Sequence, residues 1–180
     1  MTTFNTAHYP QTFKNQIEKL LDLTKITPPL LLNGEAGAGK TCLAREMVNR
    51  YAKNSHLWIT LNDKRALSPL DQVENFCASV RSLDWLTEEL PEGETGRFRM
   101  IVLDECDNLS IPQQNALRVI LDKYSESILF LANCNTEHLT NGRLIPSLVD
   151  RFYSVTFPHD PEAASLRQQA LAARMADILG

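Results

Sequence analysis

The sequence predicts an α/β fold, a three-layer sandwich in which a parallel five-stranded sheet is covered by helices on both faces. Three observations lead there. Short apolar runs without polar alternation recur along the chain, which is how strands buried on both faces read. Stretches with apolar residues at three- and four-residue spacing separate them. One glycine cluster, GEAGAGKT, joins a run of the first kind to a stretch of the second.

Each element follows in order. Phe13, Ile17, Leu20, Leu21 and Leu23 predict a helix over 11–25, which Pro28 and Pro29 terminate. Residues 30–32 form a strand, the glycine cluster turns the chain, and 41–51 returns to helical spacing with Leu43, Ala44, Met47 and Val48 on one side. A second strand covers 57–61, and a helix over 67–86 carries Val73, Phe76, Cys77 and Val80. Residues 90–97, among Glu88, Glu89, Glu92 and Glu94, read as a solvated acidic loop. The third strand covers 100–103, and Ser110 is a suitable N-cap for a helix over 112–124. Strands over 128–132 and 155–157 complete the sheet. From Asp160 and Pro161 a last helix places Leu166, Ala170, Leu171, Met175 and Leu179 at helical spacing. The chain thus divides into a core over 1–157 and a helical segment over 158–180.

The 180 residues, 43% hydrophobic, suffice for one compact domain. With 18 Lys and Arg against 22 Asp and Glu the net charge is −4, which excludes a globally basic nucleic-acid grip but leaves room for a local basic patch. Cys42, Cys77, Cys106 and Cys134 contain no Cys-x-x-Cys pair, which argues against zinc, a redox pair or a disulfide framework; they read as reduced core thiols of a cytoplasmic protein. No basic cap leads into an apolar stretch at the start, and the apolar runs are short, so neither a signal peptide nor a membrane span is predicted.

The chemistry is concentrated at three strand ends. Gly34, Glu35, Ala36, Gly37, Ala38, Gly39, Lys40 and Thr41 satisfy G-x-x-x-x-G-K-[ST] in full, a pattern that ordinary residue frequencies produce in about one window per 30,000. Such a loop, a P-loop, turns successive N–H groups inward and, with the following helix N-terminus, cradles a polyphosphate; Cys42 in that helix's first turn is counted with it. Lys40 reaches the terminal phosphates of ATP, and the Thr41 hydroxyl is a ligand for Mg²⁺. The strand ending in Asp104 and Glu105 delivers two acids to the carboxyl edge of the sheet: Asp104 for the metal, Glu105 to orient and deprotonate a water. At the next strand's end, Asn133-Cys134-Asn135 offers an amide to the γ-phosphate or the attacking water.

Taken together, GEAGAGKT, LNDKRA, IVLDECD, PQQNALRVILDKYSE, FLANCN and IPSLVDRF resemble the ATPase domain of AAA+ clamp-loader subunits, especially the small subunits of replication factor C and their phage counterparts, over residues 8–157. The resemblance implies Asn135 as the sensor of the γ-phosphate. It implies that Arg151 is a finger completing the ATP site of a neighbouring subunit, and that Gln114 couples DNA binding to the catalytic acid. Tyr9 and Pro10 take the family's adenine-side position. Lys64, Arg65, Arg81 and Arg118 become candidate contacts to DNA phosphates in a ring. The implied partners are other AAA+ subunits, primer-template DNA and a sliding clamp, with no membrane and no zinc module. Asp150, beside Arg151, is expected to pair with it and hold it back. The segment from 158 onward corresponds to about one helix of the family's lid, so the rest of the lid and the collar that holds the ring are expected to be missing. A nucleotide-gated binding module of low turnover, of the helicase-loader or transposition-regulator kind, is the alternative.

Overall fold

The computed structural model describes residues 4, 6, 9–61, 69–79 and 98–159. The order of elements is α1 (Gln11–Leu20), β1 (Leu30–Gly34), α2 (Lys40–Tyr51), β2 (His56–Thr60), α3 (Pro69–Ala78), β3 (Met100–Asp104), α4 (Ile111–Tyr124), β4 (Leu129–Asn135), α5 (Thr136–Thr140), α6 (Pro146–Val149) and β5 (Tyr153–Thr156). A 3₁₀ turn, Cys106–Asn108, lies between β3 and α4. Among the described residues, no helix is long and apolar enough to cross a membrane.

The sheet runs β2-β3-β4-β1-β5 with every pairing parallel. Alternation along its strands divides the core in two. Leu30, Leu32, Met100, Val102, Leu129, Leu131 and Val155 pack against α1 and α2. Leu31, Ile59, Ile101, Leu103, Phe130, Ala132 and Cys134 pack against α3 and α4 on the opposite face. Both faces of the central strands β1, β3 and β4 are dry, which is why these three carry no polar alternation, whereas the edge strands β2 and β5 are partly exposed. The register sets Gly34 beside Asn135 and Thr60 beside Asp104, so the carboxyl ends of β1, β3 and β4 form one edge. Open parallel sheets bind ligands there.

Several boundaries differ from the periodicity. α1 stops at Leu20 rather than at 25, because the Tyr51 hydroxyl takes over its end, donating to Leu20 O at 3.0 Å and accepting from Leu23 N at 2.8 Å. β4 extends through Asn135, so Asn133-Cys134-Asn135 is the last part of the strand and not a turn after it. β5 begins at Tyr153 and ends before Phe157. Ser110 caps α4 as predicted, its backbone N–H donating to Gln113 Oε1 at 2.9 Å in a capping box. The short helices α5 and α6 have too few turns to show a period in sequence. The acidic loop over 90–97, the helical segment from 160 and the part of the 67–86 helix beyond 79 lie outside the described residues.

Candidate functional site

The loop between β1 and α2 is held from both ends and from beneath. A Cβ on Gly34 would stand 2.7 Å from Phe157 Cβ, so only glycine lets β1 pass under the chain leaving β5. Gly37 has φ +76° with open space around it, a left-handed turn that glycine adopts without strain. The Tyr9 hydroxyl donates to Ala38 O at 2.5 Å, and its buried ring packs against Phe13 with centroids 4.8 Å apart. Pro10, exposed, precedes α1. Gly39 is the cap residue of α2, Thr41 is half-buried, and Glu35, Ala36 and Cys42 are exposed.

Lys40 opens α2 and is buried, its Nζ donating to Gly34 O at 2.7 Å, Glu35 O at 2.8 Å and Asn135 Oδ1 at 3.3 Å. Burial lowers its pKa, and Cys134, Asp107, Asp104 and Glu35 oppose that shift. A polyphosphate bound there would favour the charged form further.

The acid turn has unusual backbone. Glu105 has φ 60° and ψ 48°, and it alone among the described non-glycine residues has positive φ. For a non-glycine residue that geometry costs about 1 kcal/mol or more. It is held by Asn133, whose Oδ1 accepts from Glu105 N at 2.8 Å. The next two positions are tied to the same region. The Cys106 thiol hydrogen-bonds with Cys134, and that contact with burial raises its pKa well above the usual thiol value. The Asp107 carboxylate, almost wholly buried, takes a hydrogen bond from His138 Nδ1 on α5.

The remaining candidates lie farther out. Gln114 is buried, with Nε2 donating to Leu109 O at 2.9 Å and Arg143 O at 2.8 Å while Oε1 accepts from Ile145 N at 2.8 Å. It clasps the chain after the acid turn to the segment before α6. Arg151 is not held by Asp150, contrary to expectation. It makes two bonds to Asp122, Nε to Oδ1 at 2.6 Å and Nη2 to Oδ2 at 2.9 Å, and Nη1 donates to Ser147 O at 2.5 Å. The reason is packing: α6 lies on α4, which carries Arg151 across to the last turn of α4 while Asp150 stays exposed at the end of α6. Arg118 is half-buried on α4, and Lys64, Arg65 and Arg81 lie outside the described residues.

The arrangement fits a polyphosphate with a hard divalent cation. Asn133 Nδ2 and Asp107 Oδ1, two of the four buried side-chain polar atoms without a partner among the described residues, are both at this edge. Thr41 and Asp104 supply the oxygen donors that Mg²⁺ prefers. A cleft of about 530 Å³ opens beside the loop, lined by Glu35, Ala36, Asn135, Glu137, Phe157 and His159. Sequence reasoning missed the hold of Asn133 on Glu105, the Asp107 and His138 pair, and the clasp of Asp122 on Arg151. Strand parity alone could have set 133 and 135 on one face with Leu129 and Leu131, but not which of the two meets Glu105.

The sigma-54 interaction domain family model matches residues 7–129. Replication factor C subunit 3 of Saccharomyces cerevisiae is 30% identical over 168 residues, covering 91% of this chain and 43% of that protein. The replication factor C small subunit of Methanococcus vannielii is 32% identical over 143 residues, covering 77% of this chain and 39% of that protein. The chain therefore spans about two fifths of the length of these curated relatives. In fold it resembles a DNA polymerase III gamma subunit-related protein from Thermotoga maritima, with TM-score 0.55 and 14% identity over 86% of this chain and 48% of that one. It also resembles the Aeropyrum pernix Orc1 protein, solved in complex with DNA, with TM-score 0.60 and 16% identity over 90% and 50%. A P-loop on β1, an acid-ended β3 and an amide-ended β4 between them agree with the family match, and the chain belongs to the AAA+ ATPases, in the family that the sigma-54 interaction domain describes, with a sequence similar to the ATPase part of replication factor C small subunits.

Proposed function

We propose that this chain binds ATP at 34–41 and hydrolyses it as one subunit of a clamp-loader-like AAA+ assembly acting in DNA replication. The observation that carries the reading is the position of β4, which touches Lys40 through Asn135 and Glu105 through Asn133. One strand thus registers the phosphate-binding cation and the acid together. Lys40 holds the terminal phosphates, and the loop N–H groups take the anion charge. Asn135 shares the γ-phosphate side with Lys40. Glu105 orients the attacking water and accepts its proton. Thr41 and Asp104 are the residues that would hold Mg²⁺, which when bound neutralises phosphate charge.

Arg151 supplies a cation to the ATP site of the next subunit once it leaves Asp122, which makes hydrolysis depend on assembly. The likeness to replication factor C supports other AAA+ subunits, primed DNA and a sliding clamp as partners, with Lys64, Arg65, Arg81 and Arg118 the candidate DNA contacts and Gln114 the residue that couples DNA binding to the acid turn.

The test is ATP turnover with and without primed DNA, for the wild type and Glu105→Gln. The variant is expected to bind ATP and lose about a hundredfold or more in turnover. Background turnover by the wild type at high protein concentration with DNA, while ATP still binds, would overturn the motor reading. The Asp122 clasp favours a second one, a nucleotide-gated binding module of low turnover, because the finger's charge is already satisfied within its own chain.

A further inference from the structure

Three consecutive residues of the acid turn are tied to the end of β4 and to α5. Glu105 N bonds to Asn133, Cys106 to Cys134, and Asp107 to His138. The third tie differs from the other two in kind. Asp107 is 3% exposed and its carboxylate only accepts, so His138 Nδ1 must carry the proton and donate. Asp107 Oδ1 has no hydrogen-bond partner among the described residues, so the bond from His138 is the one side-chain hydrogen bond seen on this buried carboxyl group. Removing one partner of such a pair strands the other, and the turn must move to hydrate it.

We propose that Asp107 and His138 are a positioning couple for ATP hydrolysis: their hydrogen bond fixes the turn carrying Glu105 against the segment carrying Asn135. The proposal rests on the reading of Glu105 and Asn135 given above. Among the described residues, neither member of the couple makes a hydrogen bond or ion pair with the P-loop cradle, which hangs on β1 and α2. Loss of the couple therefore shifts Glu105 relative to the phosphate end while leaving the cradle intact. Lys40, whose charge Asp107 supports across the site, keeps its three oxygen partners in either case.

The test compares His138→Ala, His138→Gln and His138→Asn. An asparagine amide nitrogen lies where imidazole Nδ1 lies, whereas a glutamine nitrogen reaches where Nε2 would, so only asparagine restores the donor. Two measurements are made on the full chain. Amide hydrogen exchange over 105–109 is expected to quicken about tenfold in the alanine and glutamine variants and to return to wild-type rates in the asparagine variant, with β3 amides unchanged. Turnover is expected to fall about tenfold or more in the same two variants, with ATP affinity within about twofold of wild type and recovery in His138→Asn. Asp107→Ala is expected to match His138→Ala, and the double variant to be no worse than either alone.

Unchanged exchange in His138→Ala overturns the proposal. So does an asparagine variant as impaired as alanine, or turnover that stays at the wild-type rate while exchange quickens. A wild type without turnover refutes the hydrolysis reading instead, and the exchange measurement then decides the tie by itself.

Discussion

Replacing Gln114 by leucine removes the clasp without leaving a hole, since the two side chains have similar volume. The change deletes three hydrogen bonds of 2.8–2.9 Å, made to Leu109 O, Arg143 O and Ile145 N. At about 1 kcal/mol net each they sum to about 3 kcal/mol. Leu109 is buried and its carbonyl bears the full loss, whereas Arg143 is exposed and water recovers part of its own. In a chain of 180 residues that corresponds to a fall in Tm of about 6–12 °C. Urea unfolding followed by circular dichroism measures it, with the slope unchanged if only stability moves. Gln114→Glu separates the donor from the acceptor: the carboxyl must keep its proton to donate to even one of the two carbonyls, while its other oxygen still accepts from Ile145 N. Its folded pKa is then raised, and the variant's stability is greatest below the ordinary glutamate pKa and declines as pH rises through the folded value. A loss below about 1 kcal/mol for Gln114→Leu, or a pH-independent Gln114→Glu, refutes the assignment of the amide as a structural clasp.

Other perturbations follow from the same geometry. Asp122→Ala is expected to free Arg151 and to raise ATP turnover severalfold only at protein concentrations where subunits associate, which a concentration series reads. Arg151 holds the Asp122 carboxyl below the usual range, so the clasp is intact above the ordinary aspartate pKa and is lost as pH falls through the lower folded value; between pH 5 and 9 the wild type should show no release. Tyr9→Phe deletes the bond to Ala38 O and is expected to cost about 1 kcal/mol in thermal or urea unfolding. Gly34→Ala and Gly37→Ala should both destabilise, for different reasons. The first forces Phe157 aside and costs about 1–3 kcal/mol, while the second strains backbone in open space by about 1 kcal/mol, so that trimming Phe157 to alanine eases only the first.

Much of the sheet and its edge was legible in the sequence because β1, β3 and β4 each begin as an unbroken apolar run and end in a candidate site residue. GEAGAGKT, LDE and NCN mark β1, β3 and β4 by themselves, and the parallel register then brings Gly34, Asp104 and Asn135 to one edge. What was not legible depends on contacts distant in sequence. Nothing near Arg151 announces Asp122, 29 residues away, and the adjacent Asp150 is the wrong carboxylate because α6 turns it outward. The early end of α1 depends on a hydroxyl from α2. Asn133 and Asn135 could be set on one face by parity, but which of them meets Lys40 and which meets Glu105 follows from the stagger of β1, β3 and β4, which no local pattern encodes.

The left-handed backbone at Glu105 has a consequence for any attempt to harden this protein. Glycine and asparagine suit φ 60° better than glutamate does, so the position that bears the proposed base is also one where the fold would gain by losing it. A library screened only for heat resistance would enrich those two residues at 105 and deliver robust, silent variants. A screen that also demands turnover would retain glutamate and collect its gains elsewhere, so the residue frequencies at this one position in the two pools report directly on the trade between stability and activity.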